Sequence, residues 1–153
     1  AMKFPEWTRV AEVELVYKTK IKASERPKIN SSKDIYDTLK QVWNGNKIEM
    51  LEEFKVILLN RANRIIGVYD ASSGGITGTV ADPRLILATA IKSLAVSIVL
   101  SHNHPSGNLK PSRADEEITK KIKMAASYHD ITVLDHIIIS REGYYSFADE
   151  GLM

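Results

Sequence analysis

Apolar positions along this chain recur with a spacing of two in some stretches and of three to four in others, and these changes mark the predicted elements. Val13, Leu15, Tyr17, Thr19 and Ile21 alternate with Glu12, Glu14, Lys18 and Lys20, the period of a half-buried strand. The segment 23–28 (Ala-Ser-Glu-Arg-Pro-Lys) breaks it. Ser31 with Asp34 three later forms a capping-box pattern opening a helix whose apolar face is Ile35, Leu39, Val42 and Trp43; Asn44-Gly45-Asn46 stops it. Apolar runs at 54–59 and 64–70 flank a short turn and predict an antiparallel hairpin. Ser72-Ser73-Gly74-Gly75 then turns the chain into a third strand at 76–80.

Asp82 followed by Pro83 is a helix start, since proline has no N–H to leave unpaired at the first helical position. That helix carries Leu85, Ile86, Ala90 and Ile91 and feeds the run 96–100, apolar enough for a central buried strand. After a loop at 105–111, residues 112–128 form an amphipathic helix with Ile118, Ile122 and Ala125 on one face. Glu116/Lys120 and Glu117/Lys121 pair on its other face. Segments 132–140 and 144–148 close the chain as a hairpin around Arg141-Glu142-Gly143. The order predicts one mixed α/β (α+β) domain over residues 30–153, preceded by an N-terminal strand or arm at 1–29.

Composition narrows the chemistry. With 153 residues, 44% hydrophobic and 26% charged, the chain is sized for one ordinary globular domain. There is no cysteine, which excludes disulfides and thiolate metal sites; any transition-metal site must use histidine and carboxylate. The start Lys3-Phe4-Pro5-Glu6-Trp7 lacks a signal-peptide core and no apolar run is long enough to span a bilayer, so a cytoplasmic location is expected. Net charge is +2, too small to imply nucleic acid by itself. Residues 1–30 carry seven Lys/Arg against four Glu, a modest basic arm that reads as a solvated face.

One segment carries candidate chemistry. Ser101-His102-Asn103-His104-Pro105-Ser106-Gly107 places two imidazoles two residues apart, and Asp115 follows eleven positions after His104. On a helix, positions i and i+2 diverge; on an extended chain they face the same way. The apolar run before His102 supplies extended backbone, and Pro105 favours it at His104. The next helix opens at Ser112, so Asp115 in its first turn can fold back beside the strand. His102, His104 and Asp115 can then hold zinc with one position left for water, the ligand count of a catalytic site. Ser112-x-x-Asp115 is equally a capping box. Ser106 and Asn108 shape the loop; Asp135-His136 reads as a buried strand-entry pair, with orientation of a ligand as the alternative; His129 reads as a helix C-terminal cap.

The pattern His102-x-His104-Pro105 with Ser112-x-x-Asp115 resembles the JAMM (MPN-plus) metalloprotease signature. Gly78-Thr79, Asp82-Pro83-Arg84, Val133-Leu134-Asp135-His136 and Tyr145-Ser146-Phe147-Ala148 narrow the likeness to the bacterial RadC-like branch. The resemblance implies a mostly antiparallel sheet flanked by helices in a cytidine-deaminase-like layering, a bound Zn2+ activating water, an upstream glutamate as general acid/base and the serine polarising a carbonyl intermediate. Glu49, Glu52 and Glu53 precede the first strand, and the RadC-like spacing selects Glu52. Glu52 would share a strand face with Phe54, Val56 and Leu58, whereas Glu53 shares one with Lys55. Asp82 stands where many RadC-like sequences are expected to have histidine, a departure that weakens a family-type substrate-binding role for this loop and leaves the metal ligands intact.

The leading expectation is a zinc-dependent hydrolase of peptide or isopeptide amide bonds, with Glu52 and Ser112 catalytic and His102, His104 and Asp115 on the metal. Its substrate would be a polypeptide or an isopeptide-linked protein. The alternative, from the RadC name, is a DNA-repair-associated or DNA-binding accessory protein without proteolytic role, a nucleic-acid partner that the charge supports weakly. A noncatalytic scaffold is opposed by the intact residue set. Self-association is left open.

Overall fold

The structure is a computed structural model that describes residues 3–9, 18–73 and 81–153. The elements in chain order are α1 (Ser32–Val42), β1 (Glu53–Leu59), β2 (Ile65–Ser73), α2 (Pro83–Lys92), β3 (Ser97–Asn103), α3 (Arg113–Ser127), β4 (Thr132–Ile139) and β5 (Tyr144–Ser146). Short 3-10 turns lie at Glu6–Thr8 and Ala23–Glu25. The strands form one sheet in the order β2-β1-β3-β4-β5. β1 pairs antiparallel with both β2 and β3, β4 pairs antiparallel with β5, and β3 and β4 run parallel. A parallel pair needs a crossover, and α3 supplies it.

Strand parity divides the core in two. Val56, Leu58, Ile98 and Leu100 face α2 and α3, packing with Ile86, Ala90, Ile122 and Ala126. Ile57, Leu59, Val99, Ile137 and Ile139 face the opposite side and pack with Ile35, Leu39 and Trp43 of α1. The result is a sheet sandwiched between α1 and the α2/α3 pair, which is why β3 is buried at every position. No described helix is long and apolar enough to cross a membrane.

The helix starts follow the capping chemistry. Ser31 accepts from the Asp34 N–H, while the Asp34 carboxylate reaches past the cap to the Asn30 N–H at 2.8 Å. Asp82 accepts from the Arg84 N–H at 2.9 Å, with Pro83 following it. Ser112 and Asp115 form a reciprocal box: the Asp115 N–H donates to Ser112 Oγ at 3.0 Å and the Ser112 N–H to Asp115 Oδ2 at 2.8 Å.

Several local expectations shift. The alternating stretch at 13–21 lies outside the described residues up to Tyr17, and Lys18–Ile21 is not in a strand. The expected strand at 76–80 and the Gly78-Thr79 pair also lie outside them, and Ser72 and Ser73, expected in a turn, still belong to β2. On α3, Glu117 pairs with Arg113 at 3.2 Å, one turn before it. The end of α3 is closed by backbone: the His129 and Ile131 N–H groups both donate to the Ala126 carbonyl and Asp130 adopts φ 55°, so His129 contributes through its N–H.

Ile122 fastens α3 to the sheet and is fully buried. Ile122→Ala is expected to lower unfolding free energy by about 3 kcal/mol in urea titration; a loss under about 1 kcal/mol would show that α3 is held by something else.

Candidate metal centre

β3 remains extended through both histidines. His102 pairs in register with Phe54 on β1 and Ile138 on β4, and the His104 N–H donates to the Ile139 carbonyl at 3.2 Å, continuing the ladder past the strand's last residue. His102, His104 and the inward residues Ile98 and Leu100 therefore share a face. His102 sits inside the strand rather than beyond its end, and it is buried. The chain then leaves the sheet at Pro105. Gly107 takes φ 83°, a conformation that favours glycine, and Ser106 accepts from the Asn108 N–H. This turn brings the Asn108 carbonyl back to His104 Nδ1 at 2.6 Å.

Four expected side chains converge. His102 Nε2 and His104 Nε2 are 2.9 Å apart. Asp115 straddles them, with Oδ1 3.3 Å from His102 Nε2 and Oδ2 3.3 Å from His104 Nε2. Glu52 Oε1 lies 4.0 Å from His102 Nε2, and Glu52, His102 and His104 each offer a ligand atom within 4.8 Å of the others. Ser112 stands at the N-cap of α3, three residues before Asp115. Glu53, by contrast, turns to Lys55 at 3.7 Å. Glu52 lies just before β1 and approaches His102, while Glu53 is the first residue of the strand.

The donor set fits a cation. A carbonyl oxygen only accepts, so His104 Nδ1 carries the hydrogen given to Asn108, and the neutral ring turns its lone pair at Nε2 inward. His102 uses its own Nδ1 outward, 2.7 Å from His136 Nε2. Ligand atoms about 2.0–2.2 Å from a tetrahedral ion lie about 3.3–3.6 Å from one another. Each Asp115 oxygen lies at that spacing from one of the two imidazole nitrogens, and the two imidazoles need to open by a few tenths of an ångström.

The electrostatics agree. The Asp115 carboxyl is held far below the usual carboxylate range: burial opposes this, but the contacts with His102 and His104 in their protonated forms, the His102 charge and the Ser112 N–H outweigh it. His104 is pushed above its ordinary 6.5, chiefly by its hydrogen bond to Asp115 and against burial; the Asn108 carbonyl and the Asp115 and Glu52 charges add to the rise. The cluster draws in positive charge, whether a proton or a metal ion. It opens into a cavity of about 320 Å³ whose walls include Glu52, His102 and Asp115 on one side and Phe54, Ala81, Ala114 and Ile118 on the other.

Two residues here were not assigned to the site from the pattern alone. Asn103, between the histidines, points to the opposite face and is fully buried. Its Oδ1 accepts from the Glu53 N–H at 2.7 Å, and its Nδ2 donates to the Ile48 and Leu51 carbonyls at 2.7 and 2.8 Å. The backbone on both sides of Glu52 is thereby tied to β3. A polar residue at a buried strand position was the available signal. His136, read as part of a buried strand-entry pair with orientation of a ligand as the alternative, is fully buried against His102; burial, followed by the neighbouring His102 charge, pushes its imidazole well below the ordinary value. Asp135 beside it is structural: it accepts from Ser146 Oγ and from the His136 and Ala148 N–H groups, tying β5 and the corner after it to β4.

Two imidazoles and two carboxylates gathered at one end of the central strand of a mixed α/β domain make a candidate metal site. Residues 29–152 match the family described as the RadC-like JAB domain, and the chain belongs to that family, a RadC-type branch of the JAB/MPN superfamily. A UPF0758 protein of Flavobacterium johnsoniae is 47% identical over 125 residues, covering 82% of this chain and 53% of that protein. UPF0758 proteins of Porphyromonas gingivalis (46% over 103 residues, covering 67% and 45%) and Rubrobacter xylanophilus (38% over 129 residues, covering 84% and 55%) are also similar. The chain spans about half the length of these curated relatives, and their names state no activity.

Asn103→Ala strips partners from one buried N–H and two carbonyls, so it is expected to lower stability by about 2–4 kcal/mol in urea unfolding. Asn103→Asp sets a carboxylate against the Ile48 and Leu51 carbonyls and is expected to be no milder. A stability near wild type for both would show that the 48–53 segment is held independently.

Proposed function

We propose that this domain is a zinc-dependent hydrolase that cleaves a peptide or isopeptide amide bond. The observation that carries the reading is the convergence of two imidazole Nε2 atoms with the Asp115 carboxylate, while a second carboxylate, Glu52, stands one contact further out at the cavity wall. His102, His104 and Asp115 would hold the ion, and Glu52, 4.0 Å from the nearest imidazole nitrogen, would act on the water in this assignment. An all-His/carboxylate set with three ligands suits zinc in a catalytic role.

Bound zinc supplies Lewis acidity, which brings the pKa of a water towards about 7. The protein's own groups do the rest. Glu52 takes the proton of the attacking water and returns it to the leaving amine, so the C–N bond breaks without a free amide anion. Ser112 Oγ uses a lone pair for the Asp115 N–H, which leaves its hydroxyl hydrogen to donate to the oxyanion developing on the substrate carbonyl. The cavity's apolar wall of Phe54, Ala81 and Ile118 excludes water from one side of the reacting bond. A polypeptide or isopeptide-linked protein is the substrate class this chemistry serves.

Metal analysis tests the first half. Wild type is expected to bind one zinc per chain and His104→Ala to lose it; no stoichiometric metal in wild type, or equal content in the variant, sinks the reading. Peptide and isopeptide library cleavage with and without chelator tests the second half. Glu52→Gln is expected to keep its zinc and lose about 10²–10⁴-fold in rate.

A pH signature follows from His104. Its folded-state value is raised above 6.5, so in metal-free protein this contribution to stability is fully present below the unfolded value and is lost as pH rises through the folded one. Zinc needs the neutral ring, so the sign reverses when it binds. The melting-temperature gap between zinc-loaded and chelated protein is expected to widen from about pH 6 to about pH 8; a gap that narrows contradicts the ligand assignment.

A further inference from the structure

We infer that Thr119 and His136 form a relay that fixes the tautomer of His102, and that they are positioning residues of the metal centre. The inference rests on the zinc reading for its purpose, though the relay itself is a property of the polypeptide alone.

The direction of the relay follows from one group that can only accept. The Asp115 carbonyl oxygen is 2.7 Å from Thr119 Oγ, so the single hydroxyl hydrogen of Thr119 is donated there. Thr119 Oγ is also 2.6 Å from His136 Nδ1 and, having spent its hydrogen, accepts at that contact. The hydrogen of neutral His136 is therefore on Nδ1, and its Nε2 is an acceptor. His102 Nδ1, 2.7 Å away, donates to it. His102 is left with its lone pair on Nε2, the atom facing Asp115 and His104. Were Thr119 turned the other way, each ring would reverse, and His102 would present an N–H where a ligand lone pair is needed.

Every link is buried, so water cannot substitute. Thr119, His102 and His136 are 2%, 2% and 0% exposed. The rings are also held against flipping. Phe54 stacks on His102 with centroids 5.9 Å apart and an angle of 1°, and Phe147 stacks on His136 at 4.6 Å and 16°. Metal-bound histidines ordinarily donate their second N–H to a carboxylate or carbonyl, whose acceptor role is fixed by its chemistry. A neutral imidazole has no such fixed role. It needs a further group to set it, and Thr119 is that group. The relay begins on the backbone of Asp115 and ends on His102, so two proposed ligands are joined through protein as well as through an ion.

Thr119→Val keeps the side-chain shape and removes the relay's direction; Thr119→Ser keeps the direction. Long-range 1H–15N spectra of the histidine rings in chelated protein at about pH 8 read the tautomer directly. Wild type and Thr119→Ser are expected to show His102 protonated on Nδ1 alone, and Thr119→Val to show a population protonated on Nε2. Zinc affinity from chelator competition is expected to fall about 10–100-fold in Thr119→Val and to recover in Thr119→Ser. His102 protonated on Nε2 in wild type, or a Thr119→Val protein with wild-type tautomer and wild-type affinity, overturns the relay. A wild type that binds no zinc defeats the proposed function instead, and the ring spectra still decide the relay.

Discussion

The arrangement depends on β3 being extended and buried from Ser97 to Asn103. Its period of two sends Ile98, Leu100 and His102 to the α2/α3 side of the sheet and Val99 and Asn103 to the other. One strand thus delivers an imidazole to the imidazole–carboxylate cluster and an amide to the backbone around Glu52, in consecutive residues. A loop could not do this, because neither side chain would have a fixed face. The ladder continues to the His104 N–H, so the second imidazole inherits the orientation of the first.

Around that strand the site is made of groups that would repel one another unless something else held them. Two imidazole nitrogens at 2.9 Å and a carboxylate 3.3 Å from each are a concentrated set of lone pairs. What holds them lies on the outside of each ring and acid: the Asn108 carbonyl for His104, the Thr119–His136 pair for His102, and the Ser112 N–H for Asp115. The capping box is therefore more than a helix start. The same carboxylate that satisfies an orphan N–H is positioned by that bond for its other partners, so reading Ser112 and Asp115 as a cap and as site residues were compatible descriptions.

Much of this was legible from residue order. The paired histidines, the proline after them and the acid in the first turn of the next helix identify the converging groups, because spacing along regular elements fixes where side chains point. Glu52 was separable from Glu53 by parity with Phe54 and Lys55. His136 was not placed. Its neighbour across the sheet is set by the β3–β4 register, which shifts between Ile98 and Val99; that irregularity moves the pairing by one residue, and nothing in the apolar run announces it. Thr119 was hidden for the same reason, since its meaning depends on a ring from another strand. The alternating pattern before Ala23 shows the opposite failure: at Lys18–Ile21 the period of two continues on paper, yet those residues join no strand.

The sheet order carries a consequence for how the site comes into being. β1 and β2 are neighbours in sequence and can zip as a hairpin early, but β1 meets β3 across some fifty residues, as the Glu53–Asn103 bond shows, and β3 meets β4 only after α3 has crossed over. The hairpin, which contains none of the histidines, can therefore exist without any metal-binding capacity. His102, His104 and Asp115 lie close together in the chain, on β3 and the first turn of α3, but Glu52 reaches them only when β1 meets β3, so the full set of four waits on a long-range closure.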